Sequence, residues 1–310
     1  MRCAVYDIGS NSVKFLVAEV RPGRPPEILA EKSKTTRLAE DLIVRGELKE
    51  EAIERTLEAL AKLRGKADKL GAAPENSRAV ATSAVRDSGN RKRFLKAAAE
   101  VLGHPILLLS GEEEADGIYR GICSDPNLPS RRLMGIDVGG GSAEWVLGGD
   151  SGVLRRTSLP LGTVRLRERF LPEYPVPRQG LQLMRQTLLQ QLEPVLAKYA
   201  LEGREVVGTG GTLNVAAALD LGLKEYDASR IHGHRLTRER LEALVDFLAA
   251  RDLETLQALP AMPQGRADIV LPGAAVFAAS LRLLGAPHVT VSTRGLRYGV
   301  LEQLREDLGT

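Results

Sequence analysis

The sequence predicts an α/β protein of two similar domains, each opening with a strand–turn–strand hairpin. Three observations carry this expectation. The chain has 310 residues, enough for two modest domains. Strand-like and helix-like segments are interleaved in mixed order. The chain also repeats itself: Tyr6-Asp7-Ile8-Gly9-Ser10-Asn11-Ser12-Val13-Lys14-Phe15 aligns with Ile136-Asp137-Val138-Gly139-Gly140-Gly141-Ser142-Ala143-Glu144-Trp145. Asp, Gly and Ser coincide, Ile matches Val, and Phe matches Trp. Two unrelated hairpin turns are the alternative reading of this repeat.

The elements follow in order. Cys3 to Val20 reads as strand, tight turn, strand, and Glu27 to Ser33 as a third strand. Gly46 to Arg64 is helical, with Ile53, Leu57, Leu60 and Leu63 on one face at the 3.6-residue period. Ser77 to Thr82 is a short strand, Arg91 to Leu102 a helix, and Ile106 to Leu109 a buried strand. Ser110-Gly111 open an acidic helix, Glu112 to Tyr119. After the turn-rich stretch Ser124 to Ser130 the pattern restarts. Arg132 to Gly148 is strand, glycine turn, strand, and Val153 to Pro160 is a third strand. Helices are expected at Gln179 to Tyr199, from Thr212, at Leu236 to Ala250, at Ala274 to Leu284 and from Tyr298. Strands are expected at Glu205 to Gly208 and Val289 to Ser292. The domains are therefore placed at 1–125 and 126–310, with the last helix, about 298–310, free to return to the first. Phe15 and Trp145, at matched hairpin positions, are core residues.

Apolar residues make up 43% and charged residues 27%, ordinary for a soluble globular protein, and the net charge is only +3. Neither a nucleic-acid polymer nor a membrane surface is implied as partner. No secretory leader is apparent, and no apolar run approaches the ~20 residues of a membrane helix. Cys3 and Cys123 lack CxxC or metal-type spacing, so two buried or partly buried thiols in a reducing cytoplasm are expected.

Glycine-rich turns let backbone N–H groups converge on an anion without interference from Cβ atoms. Gly9, Ser10 and Asn11 in the first hairpin, and Gly139, Gly140, Gly141 and Ser142 in the second, are candidate phosphate binders. Facing domains would set these turns as opposed jaws on a phosphate chain. Asp7 and Asp137 precede the turns and would repel a bare phosphate, so they call for a cation. Mg²⁺ suits carboxylate oxygens, and Glu144 could supply another. Zinc is disfavoured by the absence of His/Cys clusters. A third turn, Gly208-Thr209-Gly210-Gly211-Thr212, lies between a strand and a helix, where Gly210, Gly211 and Thr212 could seat a phosphate, ribose or base. A structural tight turn is the alternative.

Together, Asp7-Ile-Gly-Ser-Asn-Ser, Thr82-Ser-Ala-Val-Arg86-Asp, Ser110-Gly-Glu-Glu-Glu114-Ala, Asp137-Val-Gly-Gly-Gly-Ser-Ala-Glu144, Gly208-Thr-Gly-Gly-Thr and Ser292-Thr-Arg-Gly-Leu-Arg297 resemble the exopolyphosphatase/guanosine pentaphosphate phosphohydrolase (Ppx/GppA) family. The motifs run in family order from Asp7 to Arg297. The resemblance implies paired ribonuclease-H-like domains of the actin/Hsp70/sugar-kinase superfamily around an interdomain cleft. It implies hydrolysis of inorganic polyphosphate or guanosine pentaphosphate with Mg²⁺, for which Mn²⁺ could substitute. It implies Glu114 as catalytic base, metal carboxylates at Asp137 and Glu144, a first phosphate turn from Asp7 through Asn11, and a polyphosphate-binding Arg86. Arg294 and Arg297 are further candidates for substrate contact. A chain ending at Thr310 corresponds to the short, two-domain form, and a homodimer is compatible with it.

Plainer readings stand beside these. Glu112-Glu113-Glu114 alone is an ordinary solvated first helical turn, and Glu113 competes with Glu114 for the catalytic role. Arg86 could merely pair with Asp87. Arg165 follows a strand and loop without a clear part. His232 and His234 flank Gly233 but lack further ligands, so a structural role is expected. Rival functions are a kinase of the same superfamily and an actin-like, nucleotide-gated interaction protein.

Overall fold

The computed structural model describes residues 1–128 and 130–309. The chain divides into two compact units: Met1–Ser124 with the segment from Leu296 onward, and Asp125–Gly295. Each is described by itself.

The first unit begins with β1 (Arg2–Ile8), β2 (Ser12–Glu19) and β3 (Glu27–Thr35), an antiparallel meander. Then come α1 (Leu42–Arg45), α2 (Glu50–Lys69), β4 (Arg78–Ala81), α3 (Ser83–Arg86), α4 (Arg91–Leu102), β5 (Ile106–Leu108) and α5 (Gly111–Cys123). The sheet order is β3-β2-β1-β4-β5, with β4 and β5 parallel to β1. The helix expected from Gly46 starts instead at Glu50. Gly46, at φ 70°, closes α1 through a bond from its N–H to the Leu42 carbonyl, so it ends one helix rather than beginning the next. β5, expected to be buried, is the sheet edge, and Leu107 is 48% exposed.

The second unit repeats this plan. Its elements are β6 (Leu133–Val138), β7 (Ala143–Gly149), β8 (Gly152–Leu159), α6 (Thr163–Phe170), α7 (Arg178–Leu196), β9 (Glu205–Thr209), α8 (Gly211–Asp220), α9 (Ala228–Ile231), β10 (Arg235–Thr237), α10 (Arg238–Ala249), α11 (Leu253–Gln257), α12 (Val270–Leu284) and β11 (His288–Val291). The order β8-β7-β6-β9-β11 matches that of the first sheet, and β10 adds an antiparallel edge strand. The sequence reading had merged β10 into one long helix from Leu236. Thr237 separates the two by accepting a hydrogen bond from the Arg240 N–H, so the helix starts at Arg238. α6 was not expected at all, and α12 starts four residues before the anticipated Ala274. Pro272 falls in its first turn, where no N–H is required. Phe15 and Trp145 are fully buried, as their matched positions predicted, and the Trp145 indole donates to Ser280 Oγ at 3.1 Å.

The chain ends with α13 (Leu296–Asp307), which belongs to the first unit and lies against α5. The two backbones touch: a Cβ on Gly299 would fall 1.8 Å from the Gly117 carbonyl oxygen. Arg120 pairs with Glu306 at 2.5 Å, and Arg78 with Asp307 at 2.7 Å. α13 thereby braces the helix that carries Glu114.

Candidate active site

In the first unit the candidate groups gather at the carboxyl ends of the parallel strands β1, β4 and β5. Open α/β sheets place ligands at that end. The Gly9 N–H donates to the Ser12 carbonyl at 3.1 Å, which folds the turn tightly. The segment after β3 closes over it: the Thr36 and Arg37 N–H groups donate to the Asn11 carbonyl, and the Ala39 N–H to Ser10. Arg37 stands at φ 48°, in the left-handed region that non-glycine residues seldom occupy. Ser10 Oγ meets Ser83 Oγ at 3.1 Å, tying the turn to the short helix that bears Arg86.

Arg86 and Glu114 are brought together. Arg86 Nη1 donates to the Leu109 carbonyl at 2.7 Å and approaches Glu114 Oε2 at 3.4 Å. Its contact with Asp87, at 3.8 Å, is longer. Glu114 is 6% exposed, while Glu112 and Glu113 are exposed. Glu113 is committed to a capping box: its carboxylate accepts from the Ser110 N–H at 2.7 Å, and Ser110 Oγ accepts from the Glu113 N–H at 3.2 Å. These bonds hold the Glu113 carboxyl below its ordinary pKa. Of the three glutamates, only Glu114 carries its carboxylate into the buried side of α5.

The second unit repeats the turn. The Gly139 N–H donates to the Ser142 carbonyl at 3.0 Å, and the Thr163 and Val164 N–H groups at the start of α6 donate to Gly139 and Gly140. Gly162 closes so tightly on the turn that a Cβ there would lie 2.3 Å from Gly141 backbone atoms. Arg165 Nε donates to the Gly141 carbonyl at 2.8 Å, which gives that arginine a place on the turn.

The two hairpins differ in the sign of charge at one matched position, Lys14 against Glu144. Asp7 lies opposite Lys14, with Nζ 3.7 Å from Oδ2. In the second hairpin Asp137 lies opposite Glu144. Directly opposed residues share a face, with Cβ atoms about 5 Å apart. Two buried carboxylates are thus set side by side, 6% and 0% exposed, and Ser158 Oγ donates to Glu144 Oε1 at 2.8 Å. Adjacent carboxylates in low dielectric call for a proton or a cation, and all-oxygen donors suit a hard divalent ion. No group of three or more His, Cys, Asp or Glu side chains able to hold a metal occurs among the described residues.

The third turn joins this cluster. Gly210 has φ 109°, and a Cβ there would lie 2.5 Å from Asp137 Oδ1, so that carboxylate rests on the glycine. Gly211 and Thr212 begin α8, which directs their N–H groups outward. Arg266 was missed by the sequence reading. Its guanidinium lies over Gly211, where a Cβ would come within 2.0 Å of Nη1, and burial pushes its pKa down. No local motif announces it, because it lies in the loop before α12, far along the chain from Gly211. Lys14 could have been noticed, since the aligned repeat sets it against Glu144.

Arg294 and Arg297 fall in different units. Arg297 pairs with Glu31 on β3 at 3.2 Å, and the Arg294 N–H bonds Ser292 Oγ at 3.1 Å. The two loop histidines each meet a carboxylate: His232 Nε2 lies 2.8 Å from Asp125 and His234 Nε2 2.8 Å from Asp220.

The profile of the Ppx/GppA phosphatase family matches residues 16–307. The chain belongs to the Ppx/GppA family. It is 33% identical to exopolyphosphatase 2 of Mycobacterium tuberculosis over 96% of this chain and 97% of that protein. It is 30% identical to the guanosine-5'-triphosphate,3'-diphosphate pyrophosphatase of Vibrio vulnificus, over 98% of this chain but only 60% of that longer protein. The crystal structure of the Aquifex aeolicus Ppx/GppA family member superposes with a TM-score of 0.82, at 29% identity, over 100% of this chain and 98% of that one. The ethanolamine utilization protein EutJ of Carboxydothermus hydrogenoformans, 14% identical with a TM-score of 0.50 over 97% of this chain and 89% of that one, shares the actin-like fold alone. This Ppx/GppA chain is accordingly a hydrolase of phosphoanhydride bonds, from a family generally dependent on divalent metal. No helix among its described residues is long and apolar enough to cross a membrane.

Proposed function

We propose that this Ppx/GppA enzyme is an exopolyphosphatase that releases terminal orthophosphate from inorganic polyphosphate by water attack with Glu114 as base. The observation that carries the reading is the carboxylate pair Asp137/Glu144 beside a glycine turn, where the first hairpin has the self-neutralised pair Asp7/Lys14. Such a pair beside a phosphate nest fits a metal-held polyanion. Asp137 and Glu144 would hold Mg²⁺, with Mn²⁺ as substitute, and the metal would offset charge on the transferring phosphoryl group. Asp7 is the weaker metal candidate, because Lys14 already answers it. The N–H groups of Gly140, Gly141 and Ser142 and of Gly210–Thr212 donate to phosphate oxygens, and those of Ser10 and Asn11 do the same in the first unit, while Gly9 and Gly139 hold their turns closed. Arg86 supplies a charged donor to the chain and orients Glu114. Arg266, a desolvated cation at a helix N-terminus, favours an anion beside Gly211. Arg294 is a further candidate for substrate contact.

Polyphosphate is taken as substrate on the 33% identity to a protein named exopolyphosphatase, and guanosine pentaphosphate is the alternative on the 30% identity to the guanosine-nucleotide pyrophosphatase. Phosphate release from long polyphosphate, short polyphosphate and guanosine pentaphosphate, compared in one Mg²⁺ buffer, tests the choice. Faster kcat/KM on either polyphosphate is expected; a preference for the nucleotide would reverse it. Chelation should abolish turnover and added Mg²⁺ should restore it, while Glu144→Ala should shift or abolish the metal dependence. Full activity in excess chelator would sink the metal assignment.

A further inference from the structure

We propose a second ligand site in the Asp125–Gly295 unit, at the far end of α8 from Gly211, that takes a small apolar organic anion. A cavity of about 550 Å³ opens there between α8, β10, α10 and the loop around Pro260. That volume lies in the range of small-molecule sites, about 300–1,000 Å³. Leu219, Leu223, Leu236, Leu244, Phe247 and Leu259 line it, and Phe247 is 38% exposed at its mouth. An apolar recess with an exposed aromatic edge holds a hydrocarbon or aromatic body.

The rim decides the charge. Asp220 is its only acid, and both carboxylate oxygens are engaged: His234 Nε2 lies 2.8 Å from Oδ2, and Arg240 Nε 3.7 Å from Oδ1. Lys224, on the same rim, is exposed and makes no ion pair among the described residues. The Arg251 guanidinium, outside the lining, stands 3.5 Å from the Phe247 ring centroid and stacks on that ring. The rim therefore has a cation in excess over an apolar floor. A carboxylate or sulfonate on a hydrocarbon body matches both features, while a cation of the same shape does not. None of the groups assigned to phosphate chemistry lines the cavity, so the proposal stands apart from the catalytic reading.

The test uses the full chain and three probes: 8-anilinonaphthalene-1-sulfonate, decanoate and decyltrimethylammonium. The sulfonate should bind saturably at one site, with fluorescence enhancement. Decanoate should displace it, and the ammonium of equal tail length should not. Ala243 is exposed on the cavity lining, so Ala243→Trp fills the recess without entering the core and should remove binding at unchanged Tm. Lys224→Glu should weaken it by about fivefold or more, since it replaces one attraction by a repulsion. Three results would overturn the proposal: no saturable binding to the folded chain, equal displacement by both decyl probes, or wild-type affinity in both variants. A dimer that Ala243→Trp dissociates would also overturn it, by naming a second copy as the occupant.

Discussion

The buried end of α5 is where single residues decide the chemistry. Ser110 and Glu113 complete the helix cap, and Glu114 alone is left facing Arg86. A carboxylate that acts only on attacking water adds little to ground-state binding of a polyanion. Glu114→Gln should therefore lower kcat by about 10²–10⁴-fold at equal or lower KM, measured by single-turnover and steady-state phosphate release. Glu113→Gln should keep near-normal kcat and lose stability instead; Ser110→Ala, which deletes the other half of the cap, should cost about 1 kcal/mol in denaturant unfolding. A dead Glu113→Gln beside an active Glu114→Gln would move the base by one residue. Arg86→Ala should raise KM for polyphosphate more than it lowers kcat if its main role is to hold the chain. A kcat collapse at constant KM would instead make Arg86 chiefly the partner that positions Glu114.

Among the elements, α13 sets where α5 can lie. Gly117 and Gly299 bring the two backbones into contact, and Leu296 Cδ1 would stand 2.6 Å from a Cβ on Gly117. No side chain can yield at Gly299, because the obstruction is a carbonyl oxygen. Gly299→Ala should destabilise the protein by about 3 kcal/mol through overpacking and should lower kcat more than a surface change of equal stability cost, since α5 carries Glu114. Thermal melts and phosphate release on the same preparations check this; wild-type Tm and kcat would show that the helices simply slide apart. α8 has a comparable constraint at its start. A side chain at Gly210 would collide with Asp137 and oppose its positive φ, so Gly210→Ala should impair metal dependence as well as folding.

At the level of the whole molecule, attraction of the substrate depends on local groups, because the net charge of +3 is small. KM for polyphosphate should rise with ionic strength as the partly exposed Arg86 is screened, and Arg86→Ala should flatten that dependence. A salt-independent KM would place the binding energy in the backbone turns. Folding has its own pH signature at Asp125, where the chain enters the second unit. Burial pushes this carboxyl up, but the Asn127 N–H, the His232 hydrogen bond and the nearby His232 and Arg294 outweigh it, so its pKa falls below the usual 3.8. A depressed carboxyl pKa stabilises the fold above the unfolded value and ceases to do so as pH falls through the folded one. The Tm advantage of wild type over Asp125→Asn should thus be constant near neutral pH and shrink below about pH 3.8. An advantage that persisted there would show that His232 holds the segment without the charge.

The repeated architecture and most of the candidate residues were legible along the chain. Two Asp-x-Gly hairpins at matched positions gave the repeated plan, because a tight turn needs glycine locally and its signature survives in one dimension. The start of α5 was legible in the same way, from Ser110-Gly111, and the family motif that begins there is what singled out Glu114 as the candidate base. Element ends were less legible where one residue type serves two purposes. Gly46 closes a helix that was read as beginning there, and Thr237 caps a helix whose first turn was taken to include β10. Which charges meet was settled by packing across the chain. Arg86 reaches Glu114 across 28 positions of chain, Arg266 comes to Gly211 from a distant loop, and Arg297 pairs with Glu31 on β3. Such pairings depend on crossing angles and on close backbone approaches like that of Gly117 to Gly299. They are set by the fit of many side chains at once, and no single segment carries them.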